Sequence, residues 1–99
     1  MIAAVKNPFK RPLFHLGKIS ITEKAQFVLK QGQKNPLDML EKHVVGQHGL
    51  VDEKDKAVNR SGYSNFGIIL SCYRVGRIDV WVITDPGHAR TTILLPEEY

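Results

Sequence analysis

The residues of this chain best suited to chemistry are three histidines, His43, His48 and His88, and an arginine, Arg90, which is followed at once by Thr91 and Thr92. Imidazole titrates near neutrality and can take or give a proton, while a guanidinium holds two phosphate oxygens at once and offsets charge developing in a transition state. Metal-independent cleavage of RNA asks for little more. On this reading His43 and His88 are the acid–base pair, Arg90 is the phosphate ligand, and Thr92 or Thr91 is a positioning hydroxyl. Neighbouring strand residues point to opposite faces, so at most one of the two threonines can join a site beside Arg90. Plainer roles compete. His43 near a helix end complements the dipole there, and His48 and His88 lie in glycine-containing turns where side chains are usually exposed. Tyr73 and Trp81 offer faces for base stacking, although their strand positions suit packing better. No metal site is expected, because His43 and His48 are five apart across Gly46, which fits no common ligand spacing, and Cys72 is the one cysteine. No cofactor is expected either.

The elements that must position these side chains can be read in turn. Gly67–Tyr73, Ile78–Thr84 and Thr91–Leu95 are apolar runs rich in Ile, Val, Thr, Tyr and Trp, separated by Val75-Gly76 and by the longer Asp85–Arg90 turn, as in a strand meander. In the middle run Ile78, Val80 and Val82 share one face, and Trp81 and Ile83 the other. Upstream, Thr22 caps a helix that ends at Gly32, with Ala25, Val28 and Leu29 as its core stripe and Phe27 beside them. Asn35-Pro36, with Asp38 at the third helical position, opens a second helix whose buried face is Leu37, Leu40 and Val44, ended by Gly46. The two form a helical hairpin over the sheet. Asp52 and Asp55 start a short third helix through Arg60, with Ala57 and Val58 inward, and Ser61–Asn65 reads as loop. Leu16–Ile21 adds an edge strand, protected by Lys18. The expectation is an α+β fold in which an N-terminal helical hairpin and a short third helix pack on a three- to four-stranded antiparallel sheet.

Ninety-nine residues bound the chain to one domain, 16–99, preceded by a basic flexible arm, 1–15. With 42% hydrophobic and 24% charged residues, the composition excludes fibrous and disordered classes. No apolar run is long enough to span a bilayer and the first residues lack the pattern of an export signal, so no membrane contact is expected. The lone cysteine fits a reducing cytoplasm. Residues 1–34 carry seven Lys or Arg against one Glu, whereas 35–99 carry seven against nine acidic residues, so the net charge of +4 belongs to the front third. Lys6, Lys10, Arg11 and Lys18 are the expected contacts to a nucleic acid backbone, where basic side chains gain affinity by releasing counterions. RNA, another nucleic acid or a host protein are the partners this suggests; no oligomeric state follows.

From Asp38 to Tyr99 the chain resembles a family of small uncharacterised bacterial proteins carried on plasmids and other mobile elements. The resemblance rests on His43-Val44-Val45-Gly46, Gly49, Asp55, Asn59, Leu70-Ser71, Tyr73, Trp81-Val82-Ile83-Thr84 and Thr91-Thr92-Ile93-Leu94-Leu95-Pro96 with Tyr99. The chain departs from that pattern at Gln47-His48, where the family has Asp-Trp, and at His88, where it has Arg. The resemblance implies kinship but no activity. In layout, a histidine near a helix end ahead of a small sheet whose last strand carries basic and hydroxyl side chains is similar to barnase-type and RelE-type ribonucleases. That likeness implies RNA cleavage or RNA binding; the alternative is a non-catalytic module that contacts a host protein or nucleic acid.

Overall fold

The structure, a computed structural model, describes residues 11–99. The elements are β1 (Lys18–Ile21), α1 (Glu23–Gln31), α2 (Pro36–Val44), α3 (Glu53–Asn65), β2 (Ile69–Val75), β3 (Ile78–Thr84) and β4 (Arg90–Leu94), closed by a 3-10 turn at Pro96–Glu98. They make an α+β fold on a four-stranded sheet of order β1-β4-β3-β2. The meander β2-β3-β4 is antiparallel, but β1 lies parallel to β4, Lys18 opposite Arg90 and Ile21 opposite Ile93, so the sheet is mixed. Hairpin turns dictate antiparallel pairing only within the meander. β1 reaches β2 through three helices, and that long crossover leaves its direction open.

Helix starts follow their caps. The Thr22 hydroxyl accepts from the Ala25 amide at 3.1 Å and donates to Glu98 Oε1 at 2.7 Å, which clips the C-terminal turn onto α1. Asn35 Oδ1 accepts from Leu37 N and Asp52 Oδ1 from Asp55 N, with Pro36 at the first position of α2. Gly32 ends α1 for an unexpected reason: its φ is −87°, and Gln33 takes the left-handed conformation instead. A Cβ at position 32 would run into Val75.

Ala25, Val28 and Leu29 are buried as expected, packed with Met39, Leu40, Val75, Val80, Val82, Ile93 and Leu95. On α2 the buried set is Met39, Leu40 and His43; Leu37 is 62% exposed and Val44 half-buried. The helix is rotated so that His43 faces the sheet, a turn made possible because hydroxyl side chains there receive it. α3 runs past the expected loop to Asn65 and turns Asn59 and Gly62 inward, leaving Ala57 and Val58 exposed. Asn59 explains that rotation, since its amide donates to Leu70 O and accepts from Leu70 N, both at 2.8 Å. Gly62 lets the helix approach β2 closely; a Cβ there would lie 2.8 Å from Ile69 and 2.9 Å from the Ile68 carbonyl. Among the described residues no helix is long and apolar enough to cross a membrane.

Candidate functional site

The helix-covered face of the sheet carries valines and isoleucines at one end and hydroxyls at the other. Period two puts Thr84 on the face of Val80 and Val82, Thr91 on the face of Ile93, and Ser71 on the face of Ile69 and Val75. Ser71, Thr84 and Thr91 are each 0% exposed. Each must therefore find a partner inside the protein, since an unpaired buried hydroxyl costs about 1–3 kcal/mol.

His43 supplies much of it. Its Nδ1 lies 2.6 Å from Ser71 Oγ and its Nε2 2.9 Å from Thr84 Oγ1. Ser71 Oγ also meets His48 Nδ1 at 2.6 Å, and His48 Nε2 meets the Tyr63 hydroxyl at 2.6 Å. At the other end Thr84 Oγ1 lies 2.7 Å from Thr91 Oγ1, which donates to the Leu16 carbonyl at 2.7 Å. The groups form one unbranched chain: Leu16 O, Thr91, Thr84, His43, Ser71, His48, Tyr63.

The protons in that chain have a single arrangement. A carbonyl only accepts, so the Thr91 proton goes to Leu16 and Thr84 must donate to Thr91. Thr84 then has only lone pairs left, so His43 Nε2 carries a hydrogen and donates to it. Burial, reinforced by the neighbouring imidazoles of His48 and His88, holds His43 far below its ordinary value of 6.5, at about 3, so it is neutral and its Nδ1 accepts from Ser71. Ser71 therefore accepts from His48 Nδ1–H. His48, also lowered by burial, is left with a bare Nε2 that accepts the phenol proton of Tyr63. One carbonyl thus sets the tautomer of both histidines.

Tyr63 ends the chain at a pocket of about 230 Å³ between the 46–51 loop and α3, where Gly46, His48, Gly49, Lys56 and Arg60 also line the wall. Lys56 pairs with Glu53 at 3.0 Å. Burial raises the Tyr63 phenol above its ordinary value and the Arg60 charge opposes that rise. Phe14 closes the site from above: its ring stacks on Tyr63 at 5.7 Å, meets His43 edge-on at 5.2 Å and lies 5.4 Å from His88. Leu13 N bonds to Val44 O at 2.8 Å, so the described end of the basic arm is docked on the domain.

The residues expected to form the site share no exposed surface: His43 and His88 are buried on either side of Phe14, and Arg90 is exposed. His43 has no exposed surface and both ring nitrogens are taken, so no substrate phosphate reaches it. His88 is 4% exposed rather than displayed by its turn; its Nε2 donates to Gly67 O at 2.8 Å, Phe14 and Phe66 flank it, and its Nδ1 is buried without a partner among the described residues. Arg90 is exposed and sits beside Lys18 in the β1–β4 register. Thr91, not Thr92, joins the hydroxyl chain; Thr92 is half-buried on the opposite face. Arg11 and Lys18 are exposed, and Lys6 and Lys10 lie outside the described residues. Ser71, Thr84 and Tyr63 stand in the site without being among the residues expected there. The signal for the first two was their strand phase, hydroxyls in register with buried aliphatics; Tyr63 follows Asn59 by one helical turn, legible only once α3 is extended past Arg60. Among the described residues no group of three or more His, Cys, Asp or Glu could hold a metal ion. Comparison with protein-family models, curated proteins and solved structures finds no match to this chain.

Proposed function

We propose that the protein binds an RNA phosphodiester in the pocket beside Tyr63 and cleaves it without a metal ion. The observation that carries this is the Tyr63 phenol: its proton is committed to His48, its lone pairs remain for a ligand, and Arg60 and Lys56 line the same wall. In the cleavage step the ribose 2′-hydroxyl passes its proton to the Tyr63 oxygen as the Tyr63 proton moves to His48 Nε2. The 2′-oxygen bonds to phosphorus, the bond from phosphorus to the 5′-oxygen breaks, and a 2′,3′-cyclic phosphate forms. The leaving oxygen takes a proton from water, and His48 later returns its own to solvent through Tyr63. Arg60 and Lys56 offset charge on the non-bridging oxygens. His43 touches no substrate in this scheme; through Ser71 it holds His48 in the tautomer that accepts.

The test is incubation with RNA in excess chelator. Tyr63→Phe and His48→Gln should each lower the rate by about 10²–10⁴, the range of a general base. Arg60→Ala should act mainly on KM, and Arg90→Ala and Thr92→Ala should cost little. Absence of cleavage by the unaltered protein, or cleavage indifferent to Tyr63 and His48, sinks the enzyme. The second reading, a non-catalytic module for nucleic acid or a host protein, is favoured by exposed Arg11 and by Lys18 lying beside Arg90 at the sheet edge. It expects RNA binding that Arg90→Ala and Lys18→Ala weaken and that salt abolishes.

A further inference from the structure

The single direction of the hydrogen-bond chain has a consequence at its open end. A second proton on His43 would set two imidazole donors against Ser71 Oγ and leave the serine hydrogen without an acceptor. Uptake at His48 disturbs nothing behind it: Nδ1–H still donates to Ser71, and every bond from Ser71 back to Leu16 keeps its direction. Only the last bond reverses. His48 Nε2–H then donates to the Tyr63 oxygen, and the phenol hydrogen, displaced from that 2.6 Å contact, turns about the C–O bond to the opposite edge of the ring, where the pocket lies.

We propose that the pocket takes up a phosphodiester anion together with one proton, the proton lodging on His48 and turning Tyr63 from a hydrogen-bond acceptor into a donor to the anion. This rests on the reading that the pocket beside Tyr63 is where a phosphodiester binds, and it deepens that reading: the anion binds best to the form in which Tyr63 donates, whereas proton abstraction needs the form in which it accepts. Binding and base catalysis therefore favour opposite protonation states of one dyad, and turnover peaks between them.

The groups around His48 fit such coupling. From α3, Lys56 and Arg60 share its pocket wall and Tyr63 bonds to it. From α2, His43 stands across Ser71 and stays neutral. From β2, the phenol of Tyr73, pushed up by burial to about 12, keeps its proton and donates to Gln47 O. His88, on the turn before β4, bears on His43 from beyond Phe14. Burial opposes a charged His48, and an anion bound beside it, on a wall where Lys56 is paired with Glu53 and Arg60 stands near, offsets that cost. By linkage, the factor by which the bound anion tightens proton binding at His48 is the factor by which that proton tightens anion binding.

Dimethyl phosphate is a suitable probe, because it stays a monoanion across the range of interest and, lacking a 2′-hydroxyl, cannot be cleaved. Its Kd, followed by NMR titration from pH 8 to pH 5, should tighten by up to tenfold per pH unit below the ordinary histidine value of 6.5. Calorimetry in buffers of different ionisation enthalpy should show up to one proton taken up per probe bound. Tyr63→Phe removes the new donor and should weaken binding about tenfold at pH 5, the weight of one bond to a charged group, while changing it little at pH 8. His48→Gln should abolish the pH dependence. Binding that is equal at pH 5 and pH 8 without proton uptake, or a dependence that survives His48→Gln, overturns the coupling while leaving the pocket and the cleavage reading standing. No binding at any pH overturns both.

Discussion

The same face of the same sheet is built in two ways. Under α1 and the start of α2 it is aliphatic: Val75, Val80, Val82, Ile93 and Leu95 meet Ala25, Val28, Leu29, Met39 and Leu40. Under the end of α2 it is a line of hydroxyls and imidazoles, Ser71, Thr84 and Thr91 with His43 and His48. One residue along β3 separates them, Val82 from Thr84, two positions apart on one face. The aliphatic half gains free energy from area removed from water, about 25 cal/mol per Å², and tolerates any filling of the right volume. In the polar half each bond nets only about 1 kcal/mol, yet each group left unpaired costs more than the bond gives. The first half stabilises the fold; the second contributes little net stability, and what it supplies is orientation, carried from Leu16 O to Tyr63.

Acid should separate the halves most strongly. His43 titrates at about 3 in the folded chain and near 6.5 unfolded, so as pH falls the unfolded form takes the proton first. The stability this represents is intact above pH 6.5 and is lost progressively down to about pH 3, on the order of 4–5 kcal/mol in all. Glu98, whose carboxyl is lowered by its bonds to Leu95 N and Thr22, adds an acid loss only below its ordinary 4.5, so the window from 6.5 to 4.5 reports on histidine. Denaturant unfolding across that window should lose about 1.4 kcal/mol per pH unit for His43, with His48 adding to it, and His43→Gln should flatten the slope. A flat profile in the unaltered protein would break the account of the polar half.

Leu29→Ala comes next, at about 3 kcal/mol for a buried leucine leaving a cavity, with the pH slope unchanged because nothing in the hydroxyl chain moves. Ser71→Ala should cost about 2 kcal/mol by leaving both imidazoles short of a partner, and it should make the two histidine titrations independent in NMR. A loss as large as that of Leu29 with the titrations still coupled would assign Ser71 to packing instead. Smallest is Tyr63→Phe, near 1 kcal/mol at the rim of the pocket. A small effect on folding, measured beside the loss of RNA cleavage that the proposed function expects, would distinguish the open end of the chain from its buried interior.

Much of the fold was legible because it is written locally. Thr22, Asn35 and Asp52 cap the helices they were expected to cap, and period two laid out β2, β3 and β4. The failures were failures of rotation and extent. Leu37 looked inward on α2 because leucine at helical spacing from Leu40 and Val44 is the commonest core signal, and His43 looked like a surface residue serving the helix dipole. Ser-Gly-Tyr-Ser-Asn has the composition of a loop and predicts a shorter α3, whereas Gly62 serves close approach to β2. Glycine turns usually expose their side chains, which is the expectation for His48 and His88; here the 48–50 segment is drawn against β2 by His48 O accepting from Cys72 N and Leu50 N donating to Cys72 O, and His88 is folded under Phe14 and Phe66.

The amino-acid sequence by itself determined where helices and strands begin, which strand positions share a face, and that a run of aliphatic positions on that face is broken by Ser71, Thr84 and Thr91. These are properties of residues a few positions apart, set by capping, backbone preference and side-chain alternation. Which imidazole meets which hydroxyl, and which of three histidines keeps access to a pocket, only the tertiary structure decided. His43 and Thr84 are 41 residues apart and Leu16 and Thr91 are 75 apart, and a hydrogen bond depends on tenths of an ångström that no local pattern encodes. With His43 held neutral by burial, the direction of every proton in the chain then follows from one carbonyl, placed there by the pairing of β1 alongside β4.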